Sequence, residues 1–181
     1  MFKKIEKFLS MQVNKDMLFL SELLNYQGEN KVLYAEFFNQ VSLDYSLESL
    51  TCIDLYLSKI HEYFQENKEL IRDKQLQNPE IVQKLVSITL RVGAYVGETI
   101  REHDQLNQWY WIKSKRTEIL NPILLNAKNT NKNHSSPILT NGDKYLFPMN
   151  VVIELIAPQR QNSTSISDFV REVLKLNSHQ D

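Results

Sequence analysis

The segment 79–100 constrains the fold more than any other part of the chain. Its apolar residues recur at helical spacing yet cover more than one side of the helix: Ile81, Val82, Leu85, Val86, Ile88, Val92, Tyr95, Val96 and Ile100. A helix that is apolar on several sides must be surrounded by other elements. Pro79 suits a first turn, because the N–H that proline lacks has no helical partner there. We therefore predict a central helix that opens at Pro79 and ends in the run 101–104.

Two more helices are predicted before this segment. Apolar residues between positions 17 and 24 recur at helical spacing, with Asn14 as a candidate N-cap and Gly28 as a C-terminal stop. The second helix is predicted to begin near Ser46, whose hydroxyl can accept hydrogen bonds from free backbone N–H groups. Residues 31–41 suit either a short helix or a strand.

Beyond residue 104 apolar residues recur at every second position instead of at helical spacing, which is typical of strands. Residues 109–112 are aromatic and branched and predict one strand, and residues 119–125 are a second candidate in an edge or irregular position. Residues 126–136 are polar and predict a loop. Within 138–147, Asn141 and Gly142 predict a tight hairpin turn, because this pair readily takes two positive φ values.

Two short helices are predicted to close the chain. Pro148 opens the first, and Ser165 with Asp168 has capping-box spacing at the start of the second. Together, these helices and strands predict an α+β fold, in which N-terminal helices pack on a small antiparallel sheet of about 3–4 strands with C-terminal helices. The 181 residues predict one domain, with an N-terminal helical extension over 1–30 and a C-terminal helix and tail over 159–181.

Composition and charge disfavour several classes of protein. The lone cysteine, Cys52, excludes an internal disulfide and suits a reducing compartment. Lys7 and the polar stretch 12–16 interrupt any apolar run of signal-peptide length, and no segment reaches the ~18 apolar residues of a membrane helix. We therefore predict a cytoplasmic protein with no membrane partner. The net charge of −1 lacks the basic excess of a dedicated DNA-binding module, so nucleic acid is a disfavoured partner.

Two stretches resemble the signatures of a known family. The run LDYSLESL at 43–50 resembles an LDYSxESL signature. The run GAYVGETIR at 93–101 resembles a GAYxGExIR signature that a tryptophan soon follows, here Trp109 or Trp111. Together they resemble a family of small uncharacterised bacterial proteins described as a domain of unknown function. The resemblance covers residues 43–156, implies a bacterial origin and these core limits, and carries no catalytic residues.

Glu98 is the carboxylate that the sequence singles out. It lies one turn from Tyr95 and one turn before Arg101, on the helix predicted to be buried. A buried carboxylate must be paired or have a shifted pKa. We interpret Glu98 as the partner of Arg101 or Arg91 in a salt bridge. The alternative is a ligand- or substrate-binding pocket near Glu98, Tyr95 and Trp109.

Other motifs predict structure rather than chemistry. Gly93 and Gly97 are spaced so that another backbone can approach one face of the helix, and we predict close internal contact there. Neither a P-loop nor a GxGxxG spacing is present. The histidines are scattered at positions 61, 103, 134 and 179, and Cys52 lacks the context of a nucleophile. We therefore assign no catalytic residue, no metal site and no cofactor.

The run 109–116 interleaves aromatic and basic residues, as stacking platforms for single-stranded nucleic acid do. An edge strand packed on the core is the commoner explanation. If Trp109 or Trp111 is exposed, a protein interface is the better interpretation, since tryptophans anchor binding hot spots.

The leading hypothesis is a non-enzymatic interaction or accessory protein, such as a small inhibitor or immunity-type partner that binds another protein. The candidate binding residues are Tyr95, Glu98, Arg101, Trp109 and Trp111. The competing hypothesis is a small enzyme or ligand-binding protein with a pocket near Glu98. An interaction protein exposes a contiguous apolar patch, whereas an enzyme has a cleft with a perturbed carboxylate.

Overall fold

The structure, a computed structural model, describes residues 10–29, 31–67, 79–106, 108–114, 136–157 and 164–177. Within these ranges the α-helices are α1 (Met11–Glu22), α2 (Ser49–Glu66), α3 (Pro79–Glu102), α4 (Pro148–Ile156) and α5 (Ile166–Asn177). Two 3₁₀ helices cover Leu23–Asn25 and Ala35–Gln40. The strands are β1 (Tyr110–Ser114), β2 (Ser136–Thr140) and β3 (Tyr145–Leu146). The fold is α+β, as predicted, and the ambiguous segment 31–41 contains a short 3₁₀ helix.

The strands form an antiparallel sheet in the order β1-β2-β3. Trp111 pairs with Leu139 between β1 and β2, and Thr140 pairs with Tyr145 between β2 and β3. The strand candidate 119–125 lies outside the described residues, as does the predicted loop except for residue 136, which begins β2.

The hairpin between β2 and β3 is present, but the tight two-residue turn was wrong. Because Thr140 pairs with Tyr145, the connection has four residues, and only Gly142 in it has a positive φ, of 90°. The Asn141 side chain explains the wider loop. Its Oδ1 accepts hydrogen bonds from the N–H groups of Asp143 at 3.1 Å and Lys144 at 2.8 Å. A side-chain oxygen thus satisfies donors that a tight turn would have paired with backbone.

Helix α3 is the centre of the domain, as its sequence predicted. Every residue from 91 to 100 is buried, and α1, α4 and α5 all pack against it. Helix α1 contributes Val13 and Met17 to the same core, so this helix is part of the domain rather than an appendage to it. Among the described residues, no helix combines the length and the apolar character needed to cross a membrane.

The face with Gly93 and Gly97 makes the close internal contacts that the spacing predicted. A Cβ on Gly97 would lie 2.0 Å from Cζ2 of the Trp111 ring. A Cβ on Gly93 would lie 2.9 Å from Cγ of Met149 and 3.1 Å from the Met149 backbone. The two glycines therefore bring β1 and the start of α4 against the central helix.

The predicted ends of the first helix were wrong. Helix α1 begins at Met11, three residues before the predicted cap Asn14, and it ends at Glu22 rather than near Gly28. Asn14 instead donates through Nδ2 to Ser10 Oγ at 3.2 Å, and its Oδ1 accepts from the Trp111 N–H at 2.8 Å. This asparagine therefore satisfies a backbone donor on β1, a partner 97 residues away in the chain.

Helix α5 takes its N-terminal cap from a distant helix. The Asp54 carboxylate on α2 accepts from the N–H groups of Ile166 at 2.7 Å and Ser167 at 3.2 Å, and from the Ser167 hydroxyl. The predicted capping pair is also present, because the Asp168 N–H donates to Ser165 Oγ at 3.1 Å. Both caps satisfy N–H groups that have no partner inside the helix. They fix the start of α5 against α2.

Candidate functional site

Both carboxylate oxygens of Glu98 have protein partners. It is 7% exposed. Arg101 donates through Nη1 to both carboxylate oxygens, at 2.8 and 2.7 Å, and Trp111 donates through Nε1 to Oε1 at 2.7 Å. The predicted salt bridge to Arg101 is therefore confirmed. Arg91, the other predicted partner, donates to the Leu23 carbonyl at 3.0 Å.

These bonds make Glu98 a clamp between α3 and β1. The carboxylate holds the ring of Trp111, which is fully buried, directly over Gly97. Charge-assisted hydrogen bonds of this kind are the stronger ones in proteins. The arrangement orients a core aromatic ring, and both carboxylate oxygens are already engaged by protein groups. This favours a structural role for Glu98 over chemistry on a substrate.

Neither tryptophan reaches the surface. Trp109 and Trp111 are both buried, and the Trp111 ring lies against Gly97 of the central helix. A protein interface anchored by a tryptophan would require an exposed ring, and neither ring is exposed. A partner of this protein would have to bind elsewhere than on Trp109 and Trp111.

Tyr95 connects the two stretches on which the family resemblance depends. Its hydroxyl accepts from the Tyr45 N–H at 2.9 Å and bonds to Ser49 Oγ at 2.6 Å. The rings of Tyr45 and Tyr95 stack with centroids 4.9 Å apart. Tyr45 has a φ of 60°, a left-handed conformation that costs energy for a residue with a side chain. The stacking and the hydrogen bonds hold this conformation in place.

Three tyrosines resist ionisation: Tyr56 and Tyr95, which are buried, and Tyr45, which is half-buried. Burial raises the pKa of Tyr95 and of Tyr45 above the ordinary value. Burial raises the pKa of Tyr56 most strongly, and its hydroxyl donates to the Leu33 carbonyl at 2.8 Å. Since these groups hold their protons more tightly in the folded chain than in the unfolded chain, high pH favours unfolding.

We expect the free energy of unfolding to fall as pH rises above about 10, the tyrosine pKa in an unfolded chain. Below that pH the contribution of the tyrosines is constant, and it is lost progressively above it. Thermal melts between about pH 8 and about pH 11 measure the loss. Tyr56→Phe should be less stable than wild type at pH 8, because it lacks the bond to Leu33, but should lose less on going to about pH 11. Parallel declines in the two proteins would contradict this explanation.

Helix α1 presents an apolar face to solvent. Met11, Leu18 and Phe19 are 40–59% exposed. At about 100° per residue these side chains fall within an arc of about 100°, whose centre lies opposite the buried Val13 and Met17. The exposed residues Lys15 and Glu22 lie within this arc. We call the set Met11, Lys15, Leu18, Phe19 and Glu22 the outer face of α1.

This face was not predicted from the sequence, although a helical wheel contains the signal. Met17 and Leu18 both belong to the apolar residues between positions 17 and 24 that predicted the helix. The two side chains are neighbours in the chain, and they therefore project about 100° apart on a helix. Only the placement of the core distinguishes the side of Met17 from the side of Leu18.

A small cavity of about 200 Å³ lies between α2 and the start of α5. Its walls include Asp54, Leu55, Ser58, Leu155 and Ser165, and none of the predicted site residues. Ligand pockets usually enclose about 300–1,000 Å³. In the part of the chain that the structure describes, no three His, Cys, Asp or Glu side chains come together as a metal site requires.

The runs 43–50 and 93–101 meet in the fold through Tyr45 and Tyr95. Membership of the family that they resemble stays a prediction. No protein-family model, curated protein or solved structure matches this chain.

Proposed function

We propose that this chain is a non-enzymatic protein-binding protein whose contact surface is the outer face of α1. The observation that carries the proposal is the exposure of Met11, Leu18 and Phe19 together on one side of a helix. Scattered exposed apolar residues need no explanation, but adjacent ones on one face are typical of an interaction surface. The other side of the same helix is in the core, so the face is presented on a rigid element.

The competing hypothesis, an enzyme with a pocket near Glu98, has less support. Catalysis by a carboxylate requires an oxygen that can reach a substrate. Arg101 and Trp111 occupy the oxygens of Glu98, and the tryptophan ring covers the adjacent surface of α3. The proposal places the protein in the bacterial cytoplasm, as its sequence predicts, with a role as an accessory or inhibitor-type partner.

Site-specific photo-crosslinking in cells tests the proposal. The photoreactive residue p-benzoylphenylalanine replaces Phe19 in one variant and Leu55 in a control variant; both side chains are 59% exposed, and they lie on different helices. We expect a discrete protein adduct from position 19 and none from position 55. A second substitution, Leu18→Glu, should abolish the adduct at position 19, because it places a charge in the apolar patch. Equal adducts at both positions, or none at position 19, would overturn the proposal.

A further inference from the structure

The outer face of α1 carries two opposite charges at a defined spacing. Lys15 and Glu22 are separated by seven residues, which is about two helical turns and ~10 Å along the axis. They project in nearly the same direction, with Leu18 and Phe19 between them in the chain. Among the ion pairs formed by the described residues, none includes either side chain. Asp16, at the margin of the face, is instead engaged by Gln12 at 2.7 Å and lies 4.0 Å from Lys113.

The outer faces of two copies of α1 have complementary charges when the two helices lie antiparallel. When two such helices lie antiparallel about a two-fold axis near residues 18 and 19, each Lys15 faces the other copy's Glu22. Leu18 and Phe19 of both copies then meet at the axis. A parallel arrangement would oppose Lys15 to Lys15 and Glu22 to Glu22. Closed two-fold pairs, in which the same patch serves both copies, are the commonest assemblies of soluble proteins.

We infer that the partner of the outer face of α1 is a second copy of this chain, docked antiparallel through α1. The inference rests on the proposed function and names its partner. The apolar residues Leu18 and Phe19 supply the buried centre, and the Lys15–Glu22 pairs flank it and set the orientation. One helix face is smaller than the ~800 Å² per partner of a standard stable interface, so the dimer forms reversibly and at high protein concentration.

Sedimentation velocity of the full chain tests the inference. Across concentrations from about 5 to about 500 µM in low salt, we expect the weight-average sedimentation coefficient to rise from the monomer value toward the dimer value. Lys15→Glu and Glu22→Lys should each weaken self-association by about tenfold or more, because each places like charges opposite one another twice. The double variant Lys15→Glu with Glu22→Lys should recover association to within about threefold of wild type.

Mixing the two single variants gives the sharpest outcome. A copy with Lys15→Glu carries acids at both positions and a copy with Glu22→Lys carries bases at both, so each pair across a mixed dimer is opposite in charge. An equimolar mixture should therefore associate although neither variant does so alone. Glu172→Lys, an exposed substitution on α5 with the same change of charge as Glu22→Lys, is the matched control and should self-associate like wild type.

The results separate this inference from the proposed function. A wild-type chain that stays monomeric throughout, or single variants that associate like wild type, would overturn the second copy as partner. If the position-19 crosslink then joins the chain to a different protein, the protein-binding function stands and only its partner changes. If a double variant and a mixture both fail to recover association, the antiparallel pairing is wrong.

Discussion

Gly97→Ala is expected to lower the free energy of unfolding by about 2–3 kcal/mol. The new Cβ would lie 2.0 Å from the Trp111 ring, and that ring is fully buried and hydrogen-bonded to Glu98, so it cannot move away freely. Replacing glycine by alanine within a helix would by itself stabilise the fold by about 1 kcal/mol. The expected loss in the free energy of unfolding already includes this gain. Urea unfolding with tryptophan fluorescence measures the difference directly.

The variants Gly93→Ala and Trp111→Phe provide the controls for Gly97→Ala. Gly93→Ala is expected to cost less, because its Cβ would lie 2.9 Å from Cγ and 3.1 Å from the backbone of Met149, a milder overlap than the one at Gly97. Combining Gly97→Ala with Trp111→Phe should cost less than the sum of the two single changes, since the smaller ring leaves room for the methyl group. Additive costs, or a Gly97→Ala protein as stable as wild type, would show that the Trp111 ring does not restrict this position.

Glu98→Gln is expected to lower the free energy of unfolding by about 2 kcal/mol. The change removes the negative charge, and the NH₂ group that replaces one carboxylate oxygen cannot accept from Arg101 and would face its cation. Removing one partner of a fully buried pair costs about 3–5 kcal/mol. The expected cost is lower than this because the Arg101 side chain is 27% exposed, so water can solvate its charge after the carboxylate is removed.

Glu102→Gln is the matched control for Glu98→Gln. It makes the same chemical change four residues later on the same helix, at an exposed position. Its melting temperature should stay close to that of wild type, and the near-ultraviolet circular dichroism of the tryptophans should change only in Glu98→Gln. Two variants that melt together would contradict the role of Glu98 as a clamp on β1.

The elements that sequence predicted well depend on chemistry within a few residues. Helix α3 begins at Pro79 and α4 at Pro148, because proline is compatible with a first turn and fixes φ there. The bond between Ser165 and Asp168 connects residues three apart, and so does the salt bridge between Glu98 and Arg101. In each case both partners stand in the same short window of the sequence.

The hairpin turn was wrong because of local bonds, which Asn141 Oδ1 accepts from Asp143 and Lys144, whereas other failures involve partners far apart in the chain. A capping rule assigns Asn14 to its own helix because the rule contains no information about Trp111, whose N–H the asparagine accepts. The contact of Gly97 with Trp111 was predicted as a close approach but without its partner. The predicted site residue Trp111 also has partners distant in the chain, because its ring lies against Gly97 and donates to Glu98.

The Tyr45–Tyr95 contact gives the resemblance a physical meaning that does not depend on catalysis. The left-handed Tyr45, the Ser49 hydroxyl and the helix residue Tyr95 bond to one another, so LDYSLESL and GAY are in direct contact. A signature of this kind marks how a loop is attached to the central helix. The surface that we assign to binding, the outer face of α1, lies outside both runs.

The cap that Asp54 provides for α5 couples two helices that are far apart in the sequence. The N–H of Ile166 and the carboxylate of Asp54 are 112 residues apart, so this part of the cap exists only when α2 is in place. The start of α5 therefore gains stability from α2 in addition to its local Ser165 cap. During synthesis, the carboxylate of Asp54 acquires its partners only after almost the whole chain has emerged. A chain shortened before α5 would lack this helix. The Asp54 carboxylate on α2 would then lack the hydrogen bonds that it accepts from Ile166 and Ser167.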